Sequence, residues 1–188
     1  MNWNKRMKIA AICVVVLMGG VLYGIRFHVV NTQFHIEETV TVPQGEEVSV
    51  DGVAYKALYG ELMTHSEYIE RYQIQEESEE EDADAGIDLV CFIQVENKSD
   101  EEKKILLTDS TFRCDYWANG VDYFSLWAIN GDDFDGMIAP GETKKIGIST
   151  IVNVSPEFFR TMSDDWRVSL VEWPGLIEVR VPVSGGVQ

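Results

Sequence analysis

Cysteine, basic residues and catalytic motifs are scarce in this chain of 188 residues. Three cysteines are too few for a disulfide framework, and 45% hydrophobic with 25% charged residues excludes collagen-like and fully disordered chains. Lysine and arginine number 15 against 32 acids, a formal net charge of −17. Such a surface repels phosphate backbones, so we expect no nucleic-acid partner.

Catalytic signatures are also missing. The sequence contains no G-x-S-x-G, H-E-x-x-H or C-x-x-C motif, and its only histidines are His28, His35 and His65. Carboxylates are so abundant that no particular pair is singled out as an acid–base couple. We therefore expect a protein that is not an enzyme and holds no cofactor.

A membrane anchor is predicted at the N-terminus. Residues Ile9 to Ile25 carry no charge, with Lys8 before them and Arg26 after them. A helix of this length spans about 25 Å, and the two flanking cations can extend toward the membrane surfaces. We predict a cytoplasmic tail at 1–8, a transmembrane signal anchor at 9–26 and a linker at 27–33. A cleaved signal peptide and a buried core helix remain alternatives.

Charge partition predicts the orientation of this anchor. Residues 1–26 hold four bases and no acid, so the remaining 162 residues hold 11 bases and 32 acids, a net charge of −21. Because basic ends stay cytoplasmic, we expect a single-pass cell-membrane protein with its C-terminal domain outside.

Alternating apolar residues and turn signals predict strands from 34 to 183. Val48 and Val50 precede Asp51-Gly52, a strong hairpin signal, and Asn119-Gly120 is a second one. The run Ile87 to Val95 is apolar on both faces, as in a central strand. Two short helices are expected near 65–72 and 156–162. The fold class is therefore all-β, an Ig-like antiparallel β-sandwich over 34–183, with a mobile acidic loop at 76–85 and a tail at 184–188.

Three segments carry a family resemblance: DLVCFIQVENKSDEE (Asp88 to Glu102), IAPGETKKIGI (Ile138 to Ile148) and the closing pair around Trp166 to Val183. With the basic tail and single anchor, they resemble the telokin-like, immunoglobulin-fold extracellular domains of membrane-anchored Gram-positive bacterial proteins. The resemblance implies a sandwich at the cell surface. It implies no activity and no site residues, because the family has none assigned.

A calcium loop is the best metal candidate. The segment Gly131 to Glu142 matches the template D-x-[DN]-x-[DN]-G-x5-E at Asp133, Asp135, Gly136 and Glu142. Gly131 replaces the first ligand and Pro140 interrupts the segment. A solvated inter-strand loop is therefore the stronger interpretation, and no metal is expected.

Aromatic residues between Phe112 and Trp127 suggest a second candidate. Trp117, Tyr123 and Trp127 lie near carboxylates and could stack on sugar rings, although aromatics on strands usually pack in the core.

Cys91 and Cys114 could form a disulfide outside the cell. A simple hairpin centred near Asp100 would instead place Cys91 opposite about residue 109, so the bond remains one possibility among others.

Taken together, these patterns predict a membrane-anchored extracellular module of uncharacterised function. We expect it to bind a protein or a cell-envelope component without catalysis. A glycan or cell-wall module and a calcium-binding surface domain are the alternatives. A net charge of −21 favours a basic partner.

Overall fold

The structure is a computed structural model that describes residues 3–33, 37–74, 86–105, 107–171 and 175–185. The chain divides into two compact units, Met1–Glu37 and Glu38–Gln188. The predicted acidic loop at 76–85, the start of the first strand at 34–36 and the turn at Pro174 lie outside the described residues.

In the first unit the structure describes one helix, α1, at Trp3–Gln33. Its segment Met7–Val30 is long and apolar enough to cross a membrane. From Met7 to His28 the side chains are exposed. The helix extends beyond the predicted span of 9–26 at both ends.

The second unit is built mainly of short strands. Their bounds are β1 Glu37–Val42, β2 Val48–Val50, β3 Val53–Thr64, β4 Ile87–Asn97, β5 Lys103–Lys104, β6 Thr111–Cys114, β7 Trp117–Gly120, β8 Met137–Ile138, β9 Thr143–Val152, β10 Arg167–Val171, β11 Gly175–Arg180 and β12 Val183–Ser184. Among the described residues, three short α-helices interrupt them: α2 His65–Tyr72, α3 Leu126–Asn130 and α4 Pro156–Phe159. The sequence predicted helices near 65–72 and 156–162 but not α3.

The strands form a β-sandwich. One sheet has the order β1-β11-β10-β6-β7, and the other has the order β12-β3-β4-β9, with β2 also paired to β3. Strands β5 and β8 form a separate two-stranded ribbon. Neighbouring strands are antiparallel in the pairs β3–β4, β4–β9, β10–β11 and β6–β7, whereas β12 is parallel to β3.

The core lies between the two sheets. Leu89, Cys91, Ile93 and Val95 point inward from β4, and each has an exposed fraction of 0%. They pack with inward-facing residues of the opposite sheet, such as Phe112, Val168 and Val179. The prediction that β4 is a central strand is confirmed, because it pairs with β3 on one side and β9 on the other.

The two tight-turn predictions had opposite outcomes. Asp51-Gly52 joins β2 to β3 with φ angles of 49° and 81°, as a two-residue hairpin requires. The Asn119-Gly120 turn is wrong, because both residues lie in β7 and Asn119 pairs with Phe112. The actual turn is Asp115-Tyr116, where Asp115 has a φ of 50°. Asn119 instead donates its side-chain amide to the carbonyl of Ile151 at 3.0 Å.

Helix α2 covers part of the outer face of the second sheet. Thr64 caps it by accepting a hydrogen bond from the backbone N–H of Glu67 at 3.2 Å, the bond that is typical of a capping box. Tyr68 packs on Met63 and Val90 in a second, smaller hydrophobic cluster. Its hydroxyl lies 2.7 Å from the hydroxyl of Ser149. Burial raises the pKa of Tyr68 from 10.0 to about 12.

High pH is expected to destabilise this sandwich through Tyr68. An unfolded tyrosine ionises near pH 10, whereas folded Tyr68 keeps its proton until about pH 12. The resulting stabilisation is fully present below pH 10 and is lost as the pH rises through 12. The free energy of unfolding, measured with urea, should therefore fall less between about pH 9 and about pH 11 in Tyr68→Phe than in the unchanged protein.

Tyr116→Phe is the matched control, because Tyr116 is fully exposed. It should lose stability as steeply as the unchanged protein. Burial also raises the pKa of Tyr55 and Tyr72, so Tyr68→Phe should reduce the loss without abolishing it. If the free energy of unfolding of Tyr68→Phe fell with pH as steeply as that of the unchanged protein, the raised pKa of Tyr68 would be contradicted.

Candidate functional site

A cavity of about 190 Å³ lies beside α3. It is bounded by β5 and the residue after it, the 3-10 turn Leu107–Asp109, the helix and the segment 134–136. The floor is apolar and buried, the walls are aromatic, and charged groups stand at the rim. The residues that form these parts are Ile105, Leu107 and Leu126 in the floor, Tyr123, Trp127 and Phe134 in the walls, and Lys104 and Asp135 at the rim.

Two of the three aromatic walls, Tyr123 and Trp127, are perpendicular to one another. The ring centroids of Tyr123 and Trp127 are 4.9 Å apart, with an angle of 83° between the ring planes. Tyr123 is 51% exposed, and Trp127 is half-buried against the core. Phe124 packs edge-on against Tyr123 and is 89% exposed. The segment before α3 therefore presents aromatic surface to solvent.

Asn130 fixes α3 to the sandwich. Its side-chain oxygen accepts from the backbone N–H of Gly147 at 2.7 Å, and its amide nitrogen donates to the carbonyl of Gly147 at 2.7 Å. The same nitrogen donates to the carbonyl of Leu126 at 2.8 Å, which links the last residue of α3 to its first. Upstream, the backbone N–H of Asp122 donates to the carbonyl of Ser149 at 2.8 Å. Both ends of the aromatic segment are thus attached to β9.

Buried polar contacts on the outer face of β9 support the start of α3. The hydroxyls of Ser125 and Ser149 lie 2.6 Å apart, and both residues are buried. The Ser125 hydroxyl also donates to the carbonyl of Asp122 at 3.0 Å. Because Tyr68 reaches the same Ser149, α2 and α3 share one buried polar link.

Aspartates outnumber bases in the segments around the cavity. The segments 103–109 and 122–136 carry five aspartates and two bases, Lys103 and Lys104. Asp135 is exposed, and its carboxylate accepts the backbone N–H of Met137 at 2.8 Å. A cation is therefore attracted toward this end of the sandwich.

The structure brings together only two of the three predicted sugar-binding aromatics. Tyr123 and Trp127 share the cavity, whereas Trp117 packs edge-on against Trp166, with ring centroids 5.8 Å apart. Perpendicular rings do not form the flat platform on which a sugar ring stacks. The candidates Trp117, Tyr123 and Trp127 therefore do not form one flat platform in this structure.

The calcium candidates do not converge. Asp133 is exposed, Asp135 holds the N–H of Met137, and Glu142 accepts the N–H of Ala139 at 2.8 Å. Glu142 also lies 3.5 Å from the ammonium of Lys144. Within the described ranges, no group of three or more His, Cys, Asp or Glu side chains could hold a metal ion. Asp135 and Glu142 instead accept hydrogen bonds from nearby backbone N–H groups.

Cys91 and Cys114 are free thiols, so the disulfide considered from the sequence is not formed. They lie on strands of different sheets. The Cys91 sulfur packs in the core beside Gly60, and burial raises the pKa of its thiol. The Cys114 sulfur donates to the carbonyl of Ser163 at 3.2 Å.

Two buried acids were not singled out from the sequence. Asp88 is 3% exposed, and its carboxylate lies 2.6 Å from Nδ1 of His65, which ties α2 to β4. Glu178 is 2% exposed and lies between Arg113 and Arg167, at 3.4 Å and 3.5 Å. An acid placed inside an otherwise apolar strand pattern was the available signal for both. Phe134 and Asn130 carried no comparable signal.

Comparisons with known proteins give no family. No protein-family model matches the chain, and no curated protein matches it. A functionally unknown protein from Listeria monocytogenes is similar in structure, with 11% identity, a TM-score of 0.49, and 74% of this chain and 82% of that chain covered.

Two further solved structures are similar at the same level. An uncharacterised β-sandwich protein from Clostridium difficile has 14% identity and a TM-score of 0.46, covering 76% of this chain and 93% of that chain. The secreted protein MPT63 from Mycobacterium tuberculosis has 11% identity and a TM-score of 0.43, covering 77% and 97%. With TM-scores below 0.5, these similarities carry no information on the function of this chain.

Gly147→Ala is expected to destabilise the protein and displace α3. A Cβ atom at this position would lie 2.3 Å from Cγ2 of Ile129 and 2.9 Å from Cε1 of Phe92. Overpacking of this kind costs about 1–3 kcal/mol. Urea unfolding should show that loss, and the near-UV circular dichroism of the Tyr123–Trp127 pair should change.

Gly120→Ala is the matched control, because a Cβ atom there meets nothing within 4 Å. It should leave the free energy of unfolding and the near-UV circular dichroism nearly unchanged. Equal effects of the two substitutions would contradict the role given to Gly147.

Proposed function

We propose that the chain is a single-pass membrane protein whose Ig-like β-sandwich lies outside the cell and binds a protein or envelope component without catalysis. The apolar segment Met7–Val30 and the charge asymmetry across it support the anchor and its orientation. The absence of catalytic motifs from the sequence supports a binding role. The resemblance to Gram-positive surface domains supports the Ig-like class.

One observation carries the binding role. Phe124 is 89% exposed and Tyr123 is 51% exposed, side by side next to the cavity. Aromatic side chains of this kind are the residues that dominate protein interfaces when a partner buries them. The surrounding aspartates favour a partner with a basic surface through long-range attraction.

The orientation is tested with a reporter fused after Gln188. Alkaline phosphatase should be active in this fusion, because the enzyme requires the oxidising exterior. Replacing Lys5, Arg6 and Lys8 with asparagine should lower that activity, since the basic end would no longer be retained. A cytoplasmic C-terminus would contradict the orientation. Release of a shorter soluble form would favour a cleaved signal peptide.

The binding face is tested by photo-cross-linking on intact cells. A photoreactive phenylalanine analogue in place of Phe124 should give a discrete adduct, and the adduct should weaken as salt is raised. The same analogue in place of Tyr116, which is fully exposed elsewhere, is the matched control and should give none. Absence of an adduct at position 124, or equal adducts at both positions, would contradict the proposed face.

A further inference from the structure

We propose that the cavity beside α3 binds a quaternary or methylated ammonium group of the choline type. This inference deepens the proposed function, on which it rests, by naming the chemical group that the partner presents. It is carried by the shape, the aromatic walls and the charge of the cavity.

The walls have the composition of an aromatic cage. Tyr123, Trp127 and Phe134 line one cavity, and the first two are perpendicular at 4.9 Å. A cation near the face of an aromatic ring is attracted to the negative ring face, and Trp gives the strongest attraction. Cages of aromatic rings recognise alkylated ammonium groups in this way.

The size and the floor suit an alkylated cation better than a hydrated one. The volume of about 190 Å³ is comparable to a cavity of roughly 150 Å³ that binds benzene. Ile105, Leu107 and Leu126 form an apolar floor that is 2–3% exposed. Methyl groups on nitrogen can pack on this floor, whereas a hydrated inorganic ion would lose water there without compensation.

The acids near the cavity favour a cation but not a bare metal. The lining itself holds one acid, Asp135, and one base, Lys104, and four further aspartates at 109, 122, 132 and 133 lie in the same segments of the chain. Their carboxylates do not converge, and Asp135 at the rim already accepts a backbone N–H. A diffuse negative field beside aromatic rings suits a large, weakly hydrated cation. Lys104 opposes binding, so its removal should strengthen it.

Choline and its uncharged carbon isostere, 3,3-dimethyl-1-butanol, test the proposal directly. They have nearly the same shape and differ in charge. Ligand-observed NMR is recorded on the full-length protein in nanodiscs of phosphatidylglycerol, a lipid without an ammonium group. We expect choline to bind at millimolar concentration and about tenfold more tightly than the isostere. Equal or tighter binding of the isostere, or no binding of choline, would overturn the proposal.

Substitutions of the aromatic wall residues test their contribution to choline binding separately from that of the rim charges. Tyr123→Leu and Trp127→Leu should each weaken choline binding at least fivefold, roughly the cost of one cation–π contact. Tyr123→Leu is the safer variant, because its ring is half exposed and Trp127 also packs on the core. Tyr116→Leu, outside the cavity, is the control and should leave binding unchanged. Unchanged choline binding in a folded Tyr123→Leu protein would contradict the cage.

Removal of the two rim charges, Asp135 and Lys104, is expected to change choline binding in opposite directions. Asp135→Asn keeps an oxygen for the Met137 N–H and should weaken choline binding, whereas Lys104→Gln should strengthen it. Asp164→Asn removes an equally exposed charge outside the cavity lining and should have little effect. Changes of the opposite sign would show that the cavity does not select a cation.

Further comparisons identify the source of the ammonium group. They also distinguish failure of this inference from failure of the proposed function. Binding of both phosphatidylcholine vesicles and free choline would indicate that a lipid headgroup can supply the ammonium group, and binding of free choline alone would indicate a soluble source. If choline does not bind while the adduct at position 124 persists, the cage is wrong and the binding face stands. If choline binds without any adduct, the cage stands and the Phe124 face is wrong.

Discussion

The first half of strand β4, residues 88–91, is buried on both of its faces, and the positions of the surrounding elements follow from that constraint. Its inward side chains, such as Leu89 and Ile93, have no exposure and need the opposite sheet to cover them. Its outward side chains include Val90 and Asp88, which are also buried, so a second cover is needed outside the sandwich. Helix α2 supplies that cover with Tyr68 and pairs His65 with the buried carboxylate.

The candidate site also depends on this sheet, through strand β9. Strand β9 pairs with β4, and the backbone N–H and carbonyl of its residue Gly147 both form hydrogen bonds with the side chain of Asn130. The helix that carries Trp127 is only five residues long and could not persist by itself. Its position is therefore set by tertiary hydrogen bonds, and a rigid sheet holds aromatic rings that would otherwise move freely at the end of a loop.

Local chemistry explains what could be predicted from the sequence. The Asp51-Gly52 turn needs positive φ angles, which these residue types tolerate, and β4 is apolar at alternate and intervening positions, so both were recognised. Asn119-Gly120 carries the same local signal, but the Asn119 side chain bonds the β9 backbone and the dipeptide stays in a strand. In that case a long-range contact prevailed over a local preference.

The candidate site was predicted only in part for the same reason. Tyr123 and Trp127 were singled out by their residue type, which indicates binding surfaces in general. Their perpendicular arrangement and the contribution of Phe134 arise from a helix and a loop that depend on Gly147, seventeen residues from Asn130. Periodicity within a short window contains no information about such a contact, so neither α3 nor the cavity could be predicted.

The bonds between the aromatic segment and β9 also have a consequence for self-association. Strand β9 is the last strand of its sheet, and terminal strands ordinarily offer free backbone groups to which another chain can add a strand. Here the carbonyls of Gly147, Ser149 and Ile151 already accept hydrogen bonds from Asn130, Asp122 and Asn119. A second copy of the chain that approached this edge would find these carbonyls occupied. The protein can thus expose aromatic rings beside this strand without offering it as a template for aggregation.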